Sequence, residues 1–265
     1  PPGEQIDPSV GMRYYYVGLK KRVMNNGQES WQLKTKTELC QEYVRSLQAS
    51  FSLTAKRGRW MDAVKRLESD HNFAEMDLCR LGDVHSEDPS EGKNTFKRKA
   101  AQLFERMSAG HASVLLTVTR LVEAVEEKTL VLIDEPESHL HPPLLSAFTR
   151  ALSDLLVNRN GVAIVATHSP VVLQEVPKSC VSIIRRSRLT SEVDEPEIET
   201  FAENVGVLTR EVFGLEVSKS GFHDLLAQSV EEGKGFEEIE EEYRNRLGFE
   251  GKALLRAILS EKGTE

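Results

Sequence analysis

Two short apolar runs constrain the fold of this chain most, because each one ends abruptly in side chains that carry chemistry. Residues 129–133 (TLVLI) precede an adjacent acid pair, Asp134 and Glu135, and residues 161–166 (GVAIVA) come shortly before His168. Continuous apolar runs of this length are typical of strands that are buried on both faces of a parallel sheet. We expect their polar ends to lie side by side at the carboxyl edge, where ligands of open α/β sheets bind.

Helical patterns surround these two runs. Apolar positions at helical spacing predict helices over residues 37–47, 60–67, 96–106, 113–125 and 144–156. Strands that alternate with helices favour a parallel sheet covered on both sides. We therefore predict an α/β fold, a parallel sheet flanked by helices, with a helical insert and a helical C-terminal region.

The remaining segments are assigned from composition and local pattern. Residues 12–20 (MRYYYVGLK) predict a strand, residues 181–185 predict a third strand, and the polar residues 82–95 predict a linker or mobile loop. From Glu203 onward the sequence is acidic and predicts helices, most clearly over FEEIEEEYRNRL.

Three regions follow from these assignments. Residues 1–95 would contain part of the core with the helical insert and the mobile loop. Residues 96–200 would contain the motifs that carry chemistry, and residues 201–265 the C-terminal helices.

Composition limits the classes of protein to which this chain can belong. No run approaches the ~18 consecutive apolar residues of a membrane-spanning helix, and the first residues lack a secretion-signal pattern, so we expect a cytoplasmic protein without membrane contact. Cys40, Cys79 and Cys180 are too widely spaced to suggest a disulfide framework or a zinc site. The net charge is −8, yet residues 12–66 hold twelve Lys and Arg against four Asp and Glu. This bias indicates either a solvated charged face or contact with nucleic acid.

The acid pair offers two different functions. The first carboxylate can hold Mg²⁺, usually through water, and the second can deprotonate a water for in-line attack on a γ-phosphate. An imidazole on the next strand end, 34 residues after Asp134, could donate to a phosphate oxygen or hold the attacking water. The alternative is that the acids are solvent-exposed strand-end residues and that the histidine is structural.

A third feature lies upstream, where MSAGH (residues 107–111) leads into an apolar helix. A serine followed by glycine at a helix start is a good N-cap, which alone would explain it. The free N–H groups and the positive end of the helix dipole also suit a phosphate.

In their order along the chain, the three features resemble the ATP-binding-cassette class of ATPases. Within that class they resemble the branch that includes SMC, RecF and the overcoming-lysogenization-defect proteins. MSAGH is similar to the family signature LSGGQ, LVLIDEPESHLHP to the Walker B strand with its catalytic glutamate and following loop, and ATHSP to the histidine switch. The resemblance covers residues 96–186, about a third of the chain. It implies the parallel sheet of that ATPase class, with ATP and Mg²⁺ as cofactors.

The resemblance also implies a role for each site residue. Asp134 would help to hold Mg²⁺, Glu135 would be the general base, and His168 would contact the γ-phosphate. Ser108 and Gly110 would cap the γ-phosphate of a nucleotide held by a second copy, so that ATP is sandwiched in a dimer. The nucleotide-binding residues of the signature would be Ser108, Ala109, Gly110 and His111.

The chain departs from the family pattern in several places. Ala109 stands where the family has glycine, His111 where it has glutamine, and His141 where transporters have aspartate. No GxxxxGK[ST] phosphate loop occurs in the sequence. That loop normally precedes the signature, so we expect residue 1 to lie inside a longer protein.

The ESHLHP and THSP segments look most like the ATPases of bacterial anti-phage systems, the Septu ATPase PtuA and its retron-associated relatives. That likeness implies a separate effector nuclease or toxin as partner, and in retrons a reverse transcriptase with its DNA product. Two alternatives stay open: a DNA-repair ATPase like RecF or SMC, and a scaffold that binds ATP with little turnover.

Overall fold

The computed structural model describes residues 11, 13–25, 28–87, 92–138, 140–187, 190–217 and 221–262. The chain divides into two compact units, residues 1–175 and 176–265. These two units are defined by the contacts within the chain. The three regions of the sequence analysis were defined by motifs instead, and they remain a prediction.

The first unit is mostly helical and contains two strand pairs. Its helices are α1 (Lys36–Phe51), α2 (Thr54–Leu67), α3 (His71–Met76), α4 (Arg80–Glu87), α5 (Gly92–Arg106), α6 (Ala109–Ala124), α7 (Pro142–Asn158) and α8 (Pro170–Leu173). Its strands are β1 (Lys20–Asn25) and β2 (Gln28–Leu33), which are antiparallel, and β3 (Leu130–Asp134) and β4 (Val162–Ala166), which are parallel.

The five helices predicted for this unit are confirmed as α1, α2, α5, α6 and α7. The linker predicted over residues 82–95 is wrong wherever the structure describes it, because α4 and α5 cover residues 82–87 and 92–95. The ring of His85 lies 5.3 Å from that of Phe51 and 5.2 Å from that of Phe96, measured between centroids. This ring packing, which polar composition does not reveal, gives α4 a place on the core.

The first strand also differs from its prediction. Met12 lies outside the described residues, and pairing with β2 begins only at Lys20, opposite Leu33. The aromatic residues before it serve another purpose: Tyr16 packs edge-on against Trp31, with 6.4 Å between ring centroids.

The core of the first unit lies among its helices. The indole N–H of Trp60 in α2 donates to Thr119 Oγ1 in α6 over 2.9 Å, and both side chains are buried. Tyr43 of α1 stacks on Phe104 of α5 at 4.9 Å between centroids. These contacts fix α5 and α6, and therefore the segment between them that contains Ser108.

The parallel sheet is smaller and less covered than we predicted. Within the described residues β3 pairs only with β4, and their inward side chains, such as Ile133, pack on the helical core. The outward side chains are open, with Leu132 71% and Ile164 61% exposed. The prediction of a sheet covered by helices on both sides is therefore wrong for the described part of the chain, because helices cover one face alone.

The second unit contains the predicted third strand, but in a different pairing. That strand, β5 (Ile183–Ser187), is antiparallel to β6 (Thr190–Asp194). Within the described residues these two strands form a two-stranded antiparallel sheet, so the prediction that this strand belongs to a parallel sheet is wrong there.

Helices make up the rest of the second unit, as predicted from Glu203 onward. They are α9 (Val205–Val217), α10 (Phe222–Glu231), α11 (Phe236–Glu242) and α12 (Phe249–Lys262). The helix predicted over FEEIEEEYRNRL stops at Glu242, because Arg244 and Asn245 take left-handed φ angles of 55° and 56°. None of the described helices in either unit is long and apolar enough to cross a bilayer.

Candidate functional site

The ends of β3 and β4 lie side by side, as their sequences predict. The parallel register places Asp134 opposite Ala166, and the Glu135 N–H donates to the Ala166 carbonyl over 2.8 Å. Directly beyond this hydrogen bond, Nδ1 of His168 lies 3.8 Å from Oε1 of Glu135. The structure therefore brings a carboxylate and an imidazole together at the carboxyl edge.

Glu135 occupies an unusual backbone conformation. Its φ angle is 45°, in the left-handed region that residues other than glycine rarely adopt. The Ser138 N–H donates to its carbonyl over 3.1 Å and closes a turn after the strand. Its side chain is 59% exposed and that of His168 is 67% exposed. Strained residues of this kind cluster at functional sites, and here the strained carboxylate is open to a ligand.

A third carboxylate, which the sequence reasoning missed, holds the histidine. Glu137 accepts hydrogen bonds from the His168 N–H at 2.8 Å and from Thr167 Oγ1 at 2.9 Å. It also lies 3.0 Å from His168 Nδ1, and its side chain is only 12% exposed. Its spacing, two residues after the acid pair and across a turn, is the signal that could have found it.

The surroundings of Glu137 keep it ionised. Burial alone would raise its pKa, but the hydrogen bonds from the His168 N–H and Thr167, together with the imidazole, lower the pKa below its ordinary value. An ionised carboxylate can only accept, so His168 Nδ1 must carry a proton toward it. This leaves Nε2 as the ring atom available to a ligand.

The sequence predicts ATP hydrolysis at this site. We expect Glu137→Gln to lower its rate by about tenfold or more, because the His168 imidazole loses its orientation. The neutral amide cannot accept all three hydrogen bonds. We call the hydrogen bonds that Glu137 accepts from Thr167 and His168 the Glu137 clamp. The clamp stabilises the folded protein through the ionised carboxylate, whose pKa is lowered, so this stabilisation is present at neutral pH and is lost as pH falls through that lowered pKa. Turnover measured beside thermal unfolding checks this, and an unchanged rate would contradict the assigned role of Glu137.

The signature segment lies at the start of α6. Ser108 is the N-cap, and its Oγ accepts from the His111 N–H over 3.4 Å. Just upstream, the Lys36 ammonium donates to the carbonyls of Glu105 and Met107, at 2.7 and 3.1 Å. These contacts hold the chain as it enters α6 and present the serine.

The four predicted signature residues do not share one environment. Ser108 and Ala109 are exposed and Gly110 is half-buried, but His111 is buried and points toward the interior. Among the described residues, no hydrogen bond or ion pair joins this segment to the acid pair or to His168. The signature segment and the strand ends are therefore two groups of residues without a direct polar contact in the described part of the chain.

The strand-end donors fit the ligands that the sequence suggests. Asp134 and Glu135 both expose carboxylate oxygens, the ligand type that Mg²⁺ prefers. The imidazole of His168 stands beside them and suits a phosphate oxygen or a water.

Comparison with known proteins shows the family. A family model described as "AAA domain, putative AbiEii toxin, Type IV TA system" matches residues 7–174. Protein ea59 of Escherichia phage lambda is 48% identical over 269 residues, an alignment that covers 98% of this chain and 50% of the relative. The chain thus spans about half the length of that curated relative. Because the family model covers more than half of the sequence, the chain belongs to this AAA family, an α/β family of the ATPase superfamily.

Proposed function

We propose that this chain carries the hydrolytic surface of an ATPase, formed by the ends of β3 and β4. The observation that supports the proposal most is the pairing of Glu135 with His168 at 3.8 Å, held by the Glu137 clamp. Asp134 ends β3, Glu135 follows it directly and His168 follows β4, the places that the Walker B and histidine-switch resemblance implies for them.

Each residue has one task in this proposal. Asp134 would hold Mg²⁺, which supplies neutralising charge to the phosphates when bound. Glu135 takes the proton of the attacking water as general base. His168, with its Nδ1 proton directed to Glu137, uses Nε2 to hold that water when neutral or to donate to a γ-phosphate oxygen when protonated.

The signature serves the nucleotide of a second copy in this proposal. Ser108 and Ala109 are exposed at the N-terminus of α6, where unpaired N–H groups and the helix dipole favour an anion. Their separation from the acid pair within the chain supports binding across a dimer interface. ATP would then join two copies head to tail.

Light scattering on the full-length protein tests the dimer. With ATP and Mg²⁺ the molar mass should double, and Ser108→Arg should abolish the doubling because the long cation occupies the phosphate position. Ser52→Arg, a substitution of another exposed serine at the end of α1, is the matched control. Doubling that persists in the Ser108 variant would contradict binding of the nucleotide by the signature.

We also propose a role in a phage-related system, which the comparisons and the family resemblance support. The relative ea59 belongs to a phage, and the family description refers to a toxin system. In our proposal the ATP-bound dimer controls a separate effector nuclease or toxin and so restricts a competing phage, as the likeness to PtuA and retron ATPases suggests. A DNA-repair role or an ATP-binding scaffold are the alternatives, and a phosphate-release assay separates the scaffold from an ATPase.

Plaque assays test the biological role. A strain that carries the full-length gene and its neighbours should resist some phages, and the Glu135→Gln variant should lose that resistance. Equal protection by the wild type and the variant would contradict a role for turnover in defence.

A further inference from the structure

A buried carboxylate lies at the centre of a second polar cluster, away from the acid pair. Asp70, at the N-cap of α3, accepts from the Phe73 N–H over 3.1 Å. Its Oδ1 lies 3.0 Å from His111 Nε2, and its Oδ2 lies 3.4 Å from His141 Nε2. Asp70 and His111 are both buried, whereas His141 is partly exposed at the N-cap of α7.

This cluster extends to the signature serine. The other ring nitrogen of His111, Nδ1, lies 2.6 Å from Ser108 Oγ. A continuous set of hydrogen bonds therefore runs from buried Asp70 through His111 to the exposed hydroxyl of Ser108. Sequence reasoning placed His111 among the nucleotide-binding residues and found neither of its other partners.

The positions of the protons follow from the partners. Burial would raise the pKa of Asp70, but the hydrogen bonds from His111 and from the Phe73 N–H lower it below its ordinary value, so Asp70 is an acceptor. His111 therefore directs Nε2–H toward it. His141 Nδ1 accepts from the Leu144 N–H over 3.3 Å, so in this arrangement the ring proton of His141 lies on Nε2.

The same reasoning disfavours a metal ion among these three side chains, although their ligand atoms all lie within 4.8 Å of one another. A metal on His141 Nε2 would move the ring proton to Nδ1. That proton would face the Leu144 N–H and remove the N-cap of α7. Hydrogen bonds join Asp70, His111 and Ser108 without a cation, and His141 approaches Asp70 at 3.4 Å.

We propose that Asp70 and His111 form a relay that decides whether Ser108 can donate its hydroxyl proton to an anion. When His111 is neutral, its only ring proton points to Asp70, so the serine hydroxyl must donate to Nδ1. When His111 is protonated, Nδ1–H donates to Ser108 Oγ, and the hydroxyl proton is free to point outward. Serine oxygen has two acceptor sites, so it also keeps the N-cap bond to the His111 N–H.

The charged and titratable groups that face His111 among the described residues are few. Asp70 contacts it from the start of α3, and His141 approaches from the segment before α7 with 5.7 Å between ring centroids. The Phe73 ring packs at 5.2 Å. In general a carboxylate beside an imidazole stabilises its positive charge, whereas a second positive charge beside it opposes that charge.

The consequence at the nucleotide rests on the proposed function, in which Ser108 binds a phosphate. Under that function, the protonated form of His111 binds ATP across the dimer more tightly. Affinity should therefore fall as pH rises and His111 loses the proton on Nδ1. Glutamine, the usual family residue at this position, does not titrate and should abolish this dependence.

Histidine NMR on the full-length protein tests the relay without ATP. With ¹⁵N-labelled histidine, the His111 signals are those missing from His111→Gln. Asp70→Asn keeps an N-cap acceptor for α3, and it should lower the titration midpoint of His111 by about 1 pH unit or more. An unchanged midpoint would overturn the relay. In a second measurement Zn²⁺ is added to the wild type, and shifts of both the His111 and the His141 signals would also overturn the relay.

Dimerisation tests the effect on the nucleotide. With a non-hydrolysable ATP analogue, the dimer dissociation constant of the wild type should rise about tenfold or more between pH 6 and pH 8.5. The dependence should be absent in His111→Gln and should persist in His141→Asn, which keeps the cap of α7. The same dependence in all three proteins would overturn the inference, since it would arise from ATP itself.

The two levels of the proposal fail differently. If the wild type forms no dimer at any pH while the NMR midpoint responds to Asp70→Asn, the proposed dimer is wrong and the relay stands. If dimers form but the midpoint does not respond, the relay is wrong and the proposed function stands.

Discussion

Glu135→Gln in the full-length protein should lower ATP hydrolysis by about 100-fold or more, the typical contribution of a general base. The amide keeps the size of the side chain and fits the same turn after β3, so the left-handed backbone at φ 45° is retained. It cannot take a proton from water. Binding of ATP should persist, because the phosphates are held by other groups. Phosphate release under single-turnover conditions measures the loss.

The control for this variant is Glu127→Gln. Glu127 is also an exposed glutamate, but it precedes β3 and so lies at the opposite end of the strand from Glu135. The Glu127→Gln variant should hydrolyse ATP at the wild-type rate. If Glu135→Gln and Glu127→Gln were equally active, Glu135 would not be the base and the assignment would fail.

Trp60→Ala should lower the free energy of unfolding by about 3 to 5 kcal/mol. The indole is fully buried, donates to Thr119 Oγ1, and packs edge-on against Phe51 at 5.2 Å between ring centroids. Its removal leaves a cavity between α2 and α6. Thr119 keeps its own hydrogen bond to the Leu115 carbonyl, so the cost is mainly lost packing. Urea denaturation followed by circular dichroism measures it.

The second tryptophan provides the matched control. Trp31 is 38% exposed on β2, where the Arg22 guanidinium lies 5.5 Å from its ring centroid. Trp31→Ala should therefore cost below about 1 kcal/mol. Equal losses in the two variants would show that α2 and α6 do not form the packed core described above.

The strand ends could be predicted from sequence because their signals are local. A five-residue apolar run followed by two acids leaves few alternatives to a strand with a polar end, and Asp134, Glu135 and His168 follow from it. Glu137 could not be predicted, because its role depends on a turn that brings it back to the next strand. The burial of His111 likewise depends on Asp70, which is 41 residues away in sequence.

In two regions the structure differs from what the local sequence pattern predicts. The polar residues of α4 were expected to form a loop, yet the His85 ring lies against Phe51 and Phe96 on neighbouring helices. The apolar strands were expected to be covered on both faces, yet Leu132 and Ile164 are exposed. In each case the apolar and polar pattern of one segment does not indicate which other segments pack against it.

Iron-directed cleavage tests the central claim most directly. With Fe²⁺ in place of Mg²⁺, together with ATP, ascorbate and peroxide, hydroxyl radicals cut the chain close to the metal, and mass spectrometry locates the cuts. We predict ATP-dependent cuts in the full-length protein after both β3 and β4, near residues 134–137 and 167–169. Cuts that leave both strand ends intact would place the nucleotide elsewhere and contradict the account.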